Sequence, residues 1–116
     1  MDTLSADSNR KIKDGHVAVL ISPNYGAGWS SWASGDEHTE FLLFDPGLVS
    51  LAERKDTEKE VQEYCKTVFG SDFYTYLGGW SSIEIVWVPV GTYFEVTEYD
   101  GYEELQYKER PNWHVA

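Results

Sequence analysis

The clearest hydrophobic pattern in the chain predicts an amphipathic helix over residues 57–69, TEKEVQEYCKTVF. Apolar residues recur three or four positions apart, and charged residues fill the positions between them. Thr57 and Glu60 fit a capping box, and Gly70 suits the turn that ends a helix. The apolar positions are Val61, Tyr64, Cys65, Val68 and Phe69. We therefore expect this whole face, Val68 included, to pack on a sheet.

Short apolar or alternating segments predict β-strands before and after this helix. HVAVLIS, residues 16–22, is a β-branched run between Asp14-Gly15 and Pro23, which is typical of a buried strand. SIEIVWVPV, residues 82–90, alternates and ends near Pro89. Residues 91–109 predict a hairpin, because Asp100-Gly101 supplies the positive φ angles that a type I′ turn needs. A last short strand could follow at the C-terminus.

The order of these elements predicts an α+β fold. We expect a mainly antiparallel sheet, formed by the N-terminal strand and a C-terminal β-meander, with two helices packed on one face. The second helix would start at Asp45-Pro46 and run to about Arg54, while residues 37–44 fit either a helical turn or a strand. Residues 1–14 are expected to form a flexible N-terminal segment, and residues 15–116 a single domain.

The charge of the chain narrows its possible partners. Twenty acidic residues against nine basic ones give a net charge of −11, and residues 71–109 hold eight acids and one base. Such a field repels nucleic acid and anionic membranes and attracts proteins with a basic surface, although acidic surfaces also serve solubility alone. One cysteine, no signal peptide and no long apolar stretch favour a cytoplasmic protein outside the membrane. A monomer and a dimer both remain possible.

The motif Gly-Trp-Ser-Ser occurs twice, at 28–31 and at 79–82. NYGAGWSSW, residues 24–32, has the glycines of an anion-binding turn, but it lacks the lysine of a Walker loop and the third glycine of a dinucleotide fingerprint. Such loops could hold a flat ligand between aromatic rings. The candidate ligand-binding residues are Tyr25, Gly26, Gly28, Trp29, Ser30, Trp32 and Trp80. The favoured interpretation is that the tryptophans fill the core, above all Trp80, which an apolar strand follows.

No residue pattern predicts catalysis. The three histidines are scattered without metal-ligand spacing, and the serines lack a nucleophile elbow. Cys65 lies in the apolar helix face and is most simply a core residue. We therefore expect no catalytic residues, no metal site and no cofactor, and the chain is not expected to be an enzyme.

The acidic hairpin, residues 91–109, is the candidate partner-binding surface. Tyrosines interleaved with carboxylates make an amphipathic negative face, and tyrosine is favoured at interface centres. The alternative is an ordinary sheet face whose charges block edge pairing. The candidate residues are Tyr93, Glu95, Glu98, Tyr99, Tyr102, Glu103 and Glu104.

Four segments carry a resemblance to known sequences: VAVLISPNYGAGWSSW, LLFDPGLVSL, LGGWSSIEIVWVPVGTYFEVTEYDG and the terminal WHVA. In these the chain resembles short proteins encoded by phages and prophages, which share the Tyr-Gly-Ala-Gly-Trp element, a closing β-hairpin and an acidic character. The resemblance covers residues 16–116, and it transfers no functional residues. It implies a small accessory protein, of a class in which many members bind and disable a host protein.

The leading hypothesis is a non-enzymatic inhibitor that binds a host protein, such as a nucleic-acid-handling defence enzyme, through the acidic hairpin. The alternative is a module that sequesters a small ligand or nucleotide signal between loops 24–32 and 77–82. An anionic ligand would need nearby bases, for which the candidates are Arg10, Lys11, Lys13, Arg54 and Lys55. A structural or virion component is a third possibility.

Overall fold

The computed structural model describes residues 10–26, 28–32, 36–70, 77–108 and 114–116, and these confirm the predicted α+β class. The strands are β1 (Ile12–Lys13), β2 (His16–Ile21), β3 (Glu84–Pro89), β4 (Tyr93–Tyr99), β5 (Tyr102–Lys108) and β6 (His114–Val115). The helices are α1 (Asp36–Phe44), α2 (Pro46–Arg54) and α3 (Glu58–Phe69), and 3-10 turns span Ser30–Trp32 and Gly78–Ser82.

The strands form two antiparallel sheets, with orders β1-β2-β3 and β5-β4-β6. The prediction of one sheet with a C-terminal meander was therefore wrong, because β3 pairs with β2 and not with β4. The turn between β3 and β4 explains the change. Gly91 has a φ of 88°, and the Val90 amide donates to the Gly15 carbonyl at 2.9 Å. The chain is thus turned away from a β3–β4 pairing.

The N-terminal boundary also differs from the expectation. Residues 1–9 lie outside the described part of the chain, but residues 12–13 form β1 and pair with Val17 and His16 of β2. The two-residue turn at Asp14-Gly15 has positive φ angles of 53° and 77°, which suit a tight hairpin. The expected flexible segment 1–14 therefore includes residues that belong to the first sheet.

Strand β2 lies at the centre of the core, which explains its uninterrupted apolar run. Ala18 and Leu20 pack in one apolar cluster with residues of all three helices. Val17 and Val19 point to the opposite face and pack in a second cluster with residues of the other sheet, such as Phe94. Leu43 and Phe44 of α1 also pack in this second cluster, so α1 contributes to both, and both faces of β2 are removed from water.

Side-chain caps fix the helix starts as the sequence predicts. The Asp45 carboxylate accepts from the Leu48 amide at 3.0 Å at the start of α2, with Pro46 in the first helical position. Thr57 and Glu60 form the predicted capping box of α3. The ambiguous segment 37–44 is helical, and it forms α1 with residue 36.

The buried face of α3 is narrower than the periodicity predicts. Val61 and Cys65 are fully buried beside Ile83, Ile85 and Trp87, as expected, but Val68 is 49% exposed. The expectation that Val68 faces the core was wrong, since it sits at the edge of the apolar stripe. Phe94 and Val96, also expected beneath this helix, lie instead in the second cluster.

This difference gives a matched pair of substitutions on one helix. Val61→Ala should destabilise the fold by about 2 kcal/mol, because it removes buried methyl groups. Val68→Ala should be neutral or slightly stabilising, since alanine is the better helix former at an exposed position. Urea unfolding followed by circular dichroism measures both. Equal losses at the two positions would contradict the assignment of the buried face.

Candidate functional site

The two-residue turn of the acidic hairpin has the predicted geometry. Asp100 and Gly101 have φ angles of 52° and 88°, and Tyr99 pairs with Tyr102 across the turn. The Glu98 Oε2 atom accepts from the Gly101 amide at 2.6 Å, which adds a charge-assisted hydrogen bond to the turn. The tip of the hairpin is therefore held in one conformation.

Glu103 is fully buried, so its predicted place on the exposed partner-binding surface was wrong. It belongs to the face of β5 that also carries Leu105, which packs in the second apolar cluster. Side chains alternate along a strand, so Glu103 and Leu105 must point to the same side. That parity is visible in the sequence and is the signal that could have identified Glu103.

The buried carboxylate of Glu103 accepts hydrogen bonds from the loop before α1. Its Oε1 atom accepts from the Ser22 amide at 3.0 Å. Its Oε2 atom accepts from the amides of Trp29 and Ser31 at 2.8 and 3.0 Å, and from the Ser31 hydroxyl. The Glu103 amide also donates to the Ser22 carbonyl at 3.1 Å. We call this set of contacts the Glu103 latch.

The donors of the latch are neutral amides and a hydroxyl, arranged as in an anion-binding nest. Trp29 and Ser31 stand at the start of the Ser30–Trp32 turn, where amides have no partner within the turn. The sequence shows the glycines of an anion-binding turn at 24–32 but neither of the signatures that would identify a phosphate site. The loop does bind an anion, but that anion is a side chain of the same protein.

The two Gly-Trp-Ser-Ser motifs meet inside the molecule. A Cβ atom on Gly79 would lie 2.2 Å from the Gly28 carbonyl oxygen, so the two backbones touch and only glycine fits at 79. The rings of Trp29 and Trp80 have centroids 5.7 Å apart. The two motifs therefore pack against each other in the core.

Trp29 and Trp80 are core residues, as the favoured interpretation predicts, whereas Trp32, which it also placed in the core, is 37% exposed. Trp29 is fully buried and Trp80 is 6% exposed. The indole of Trp29 donates to the Leu42 carbonyl at 2.7 Å, and that of Trp80 donates to the Asp56 carbonyl at 2.6 Å. Their polar N–H groups thus have partners, which is what burial of tryptophan requires.

The ligand pocket expected between the two motifs is not formed by the residues proposed for it. Gly28, Trp29 and Ser30 are buried against the protein's own atoms, whereas Tyr25, Gly26 and Trp32 lie at the surface. Trp80 borders a separate open cleft of about 540 Å³ beside Lys55. The cleft also contains Asp56 and Glu58, whose charges oppose an anionic ligand.

The other candidate bases mostly have acidic partners in the described part of the chain. Lys11 pairs with Glu53 at 3.1 Å, and Arg54 pairs with Asp56 at 2.6 Å. The Arg10 guanidinium lies 4.0 Å from the centroid of the Phe44 ring and contacts Glu40 at 3.6 Å. These bases are scattered over the first sheet and α2 and do not converge on one ligand.

An exposed aromatic cup brings together residues from the two surfaces that the sequence separates. Tyr25, from the glycine loop, lies 4.9 Å from Tyr102 and 6.4 Å from Tyr99 between ring centroids. The cup has a volume of about 470 Å³, and Thr97, Glu98 and Glu104 complete its lining. We call these six residues the tyrosine cup. Tyr25 is 62% exposed and Tyr99 is 77% exposed, so the rings are accessible to a partner.

A backbone hydrogen bond joins the two segments that form the tyrosine cup. The Gly26 amide donates to the Asp100 carbonyl at 2.5 Å, which joins the loop to the hairpin tip. Tyr102 precedes the latch residue Glu103, and Tyr25 lies in the loop whose amides the latch binds. The two remaining candidates, Tyr93 and Glu95, are half-buried on β4 opposite Lys108 and Gln106, outside the cup.

Two titratable side chains in or beside the core, Cys65 and Tyr64, have raised pKa values. Burial, followed by the charge of Asp45, raises the pKa of the Cys65 thiol to about 12, so the thiol stays protonated at neutral pH. Burial and a 2.6 Å hydrogen bond to Asp45 raise the pKa of Tyr64.

Among the described residues, no group of three or more His, Cys, Asp or Glu side chains could hold a metal ion. No helix described here is long and apolar enough to cross a bilayer.

Comparison of the chain with protein-family models, with curated proteins and with solved structures found no match. The resemblance to phage-encoded proteins therefore stays a prediction, and the function is argued from the site.

Proposed function

We propose that the chain is a non-enzymatic binding protein that docks a partner protein with a basic surface through the tyrosine cup. The observation that carries this proposal is the exposed cluster of Tyr25, Tyr99 and Tyr102 flanked by Glu98 and Glu104. Tyrosine offers a large contact area and a hydroxyl at a low entropic cost, which is why it is enriched in binding surfaces.

The electrostatics of the chain support a basic partner. With a net charge of −11, the protein accelerates encounter with a positive surface and disfavours anionic ones. Glu98 and Glu104 place negative charge at the rim of the cup itself. Long-range attraction and local chemistry therefore select the same kind of partner.

The rigidity of the cup also supports binding. The hydrogen bond of Glu98 to the Gly101 amide, the Gly26–Asp100 hydrogen bond and the Glu103 latch hold the backbone that carries its rings. A preorganised surface loses little conformational entropy on association, so more of the contact energy contributes to affinity. No observation favours the alternative of a nucleotide-sequestering pocket, because its central residues are buried.

The phage-type role is part of the proposal and rests on the resemblance of the sequence. In this role the chain occupies a basic surface of a host protein, such as a nucleic-acid-handling defence enzyme, and thereby blocks it. We place this binding in the cytoplasm, as the single cysteine indicates.

Two substitutions that each replace a glutamate by a lysine test the docking surface. The tagged chain captures partners from a bacterial lysate, and the affinity of the purified partner is then measured by calorimetry for each variant. Glu104→Lys should lower the affinity about tenfold or more and weaken its salt dependence, because it reverses a charge at the rim of the cup. Glu63→Lys makes the same change on the exposed face of α3 and should alter the affinity less than about twofold.

Equal effects of the two variants would show that only net charge matters and would contradict a specific surface. An unchanged affinity for Glu104→Lys would remove the cup from consideration. Circular dichroism of both variants checks that the fold is retained.

A further inference from the structure

We propose that the tyrosine cup binds the guanidinium group of an arginine side chain, which the partner places against the rings of Tyr25, Tyr99 and Tyr102. This inference rests on the proposed function and specifies the chemical group that the surface recognises.

The ring geometry suits a cation. The ring of Tyr25 is inclined at 45° to that of Tyr102 and at 86° to that of Tyr99, so the three rings are not stacked flat on one another. Inclined rings leave π faces and edges around a shared space, and a cation is attracted to such faces within ~6 Å of the ring centroid. The cup volume of about 470 Å³ leaves room for a side chain.

Carboxylates at the rim complete the recognition of a positive group. Glu104 is exposed and lines the cup, and Glu98 also borders it, with its Oε2 atom bound to the Gly101 amide. A planar guanidinium can stack on a ring while its N–H groups bond to carboxylates at the side. The residues that line the cup therefore offer both kinds of contact that arginine makes.

A guanidinium fits this cup better than an ammonium. The cup opens to solvent, as the 77% exposure of Tyr99 shows. An ammonium is strongly hydrated and keeps its water at an open site, whereas a guanidinium is weakly hydrated and stacks through its flat face. The chain itself shows the contact elsewhere, where the Arg10 guanidinium lies 4.0 Å from the Phe44 ring centroid.

The described residues that line the cup include no lysine or arginine. Lys108 lies opposite Tyr93, at the other end of β4 from the hairpin turn. Among the described residues, the ion pairs involve neither Glu98 nor Glu104, which fits a cation supplied by another molecule.

Three short peptides test the inference directly on the intact protein. They are acetyl-Gly-Xaa-Gly-amide, with arginine, citrulline or lysine as Xaa, and binding is followed by NMR of the tyrosine rings and of the Gly26 and Gly101 amides. The arginine peptide should shift the signals of Tyr25, Tyr99 and Tyr102 with a dissociation constant on the order of millimolar, as expected for one cation–π site. Citrulline has the same shape without the charge and should bind about fivefold more weakly or worse.

Equal binding of the citrulline peptide would overturn the inference, and equal binding of the lysine peptide would overturn the assignment of a guanidinium. Tyr25→Phe keeps the π face and should bind the arginine peptide within about twofold of the parent, whereas Tyr25→Leu should lose about fivefold. Tyr99→Leu provides a second test on the other side of the cup. If Tyr25→Phe and Tyr25→Leu bound the arginine peptide equally well, the inference would also be overturned.

The two proposals fail in different ways. If Glu104→Lys abolishes partner binding while the arginine peptide leaves the tyrosine rings unchanged, the docking surface stands and the arginine inference falls. If the arginine peptide binds the cup while Glu104→Lys leaves partner binding unchanged, the inference stands and the proposed docking surface falls.

Discussion

Glu103→Ala should destabilise the protein by about 3–5 kcal/mol, because it removes the acceptor for two buried amides and for the part-buried amide and hydroxyl of Ser31. The amides of Ser22 and Trp29 would be left without this partner in a site closed to solvent. Hydrogen bonds to a charged acceptor contribute about 1.5–3 kcal/mol each, and burial of the carboxylate offsets part of their sum. The loss is a large share of the 5–15 kcal/mol by which domains of this kind are stable.

Glu103→Gln keeps the size of the side chain but removes its charge and one of its two acceptor oxygens. The glutamine amide keeps one oxygen, but its NH₂ group must face at least one of the amides that now donate to the carboxylate. We therefore expect a loss of about 2–3 kcal/mol, smaller than for alanine but far from neutral. A neutral result for Glu103→Gln would contradict the latch as a charge-assisted contact.

The neighbouring residue supplies the control for both variants. Glu104 is exposed one position along β5, so Glu104→Ala and Glu104→Gln should change the stability by less than about 0.5 kcal/mol. Urea unfolding followed by tryptophan fluorescence measures all four proteins. Similar losses at 103 and 104 would show that the hairpin, and not the buried carboxylate, determines the effect.

Local patterns in the sequence predict local structure well in this chain. The capping box of α3, the Asp45-Pro46 start of α2 and the Asp100-Gly101 turn are confirmed, because each depends on residues close together in the chain. The buried strand 16–21 is confirmed for the same reason. Periodicity and turn chemistry act within a few residues, so one sequence is enough to detect them.

Long-range arrangement was predicted less well. Strand β3 carries apolar residues on both faces, with Trp87 toward the helices and Val88 toward the second sheet. Such a strand could equally have continued into β4 as a meander, and the alternation does not decide between the two. The pairing with β2 depends on the contacts of the whole fold, which local patterns do not contain.

At the candidate site, the sequence analysis missed the burial of Glu103 and the contact between the glycine loop and the hairpin. Acidic residues are mostly exposed, and that general tendency placed Glu103 at the surface against the parity that it shares with Leu105. The glycine loop and the hairpin were treated as competing surfaces, although Tyr25 and Tyr102 touch across 77 positions of sequence. Their meeting follows from the latch, since the buried carboxylate of the hairpin binds the amides of the loop.

Trp29→Ala should also cost about 3–5 kcal/mol, which is the range for truncation of a buried aromatic side chain. Trp29 is fully buried, contacts the ring of Trp80 and donates its indole N–H to the Leu42 carbonyl, so alanine leaves a cavity and an unpaired acceptor. Tyr25→Ala, in the same loop, should cost about 1 kcal/mol or less, because the Tyr25 ring is 62% exposed.

Trp29→Ala and Tyr25→Ala together distinguish the two roles that the glycine loop could have. If its aromatic residues lined a ligand pocket, Trp29→Ala would leave the stability nearly unchanged, and a nucleotide library would raise the melting temperature of the parent. The structure places Trp29 in the core, and under the proposed function Tyr25 contacts the partner. Trp29→Ala should therefore lower the urea midpoint strongly, whereas Tyr25→Ala should retain the midpoint and lose the affinity for the partner.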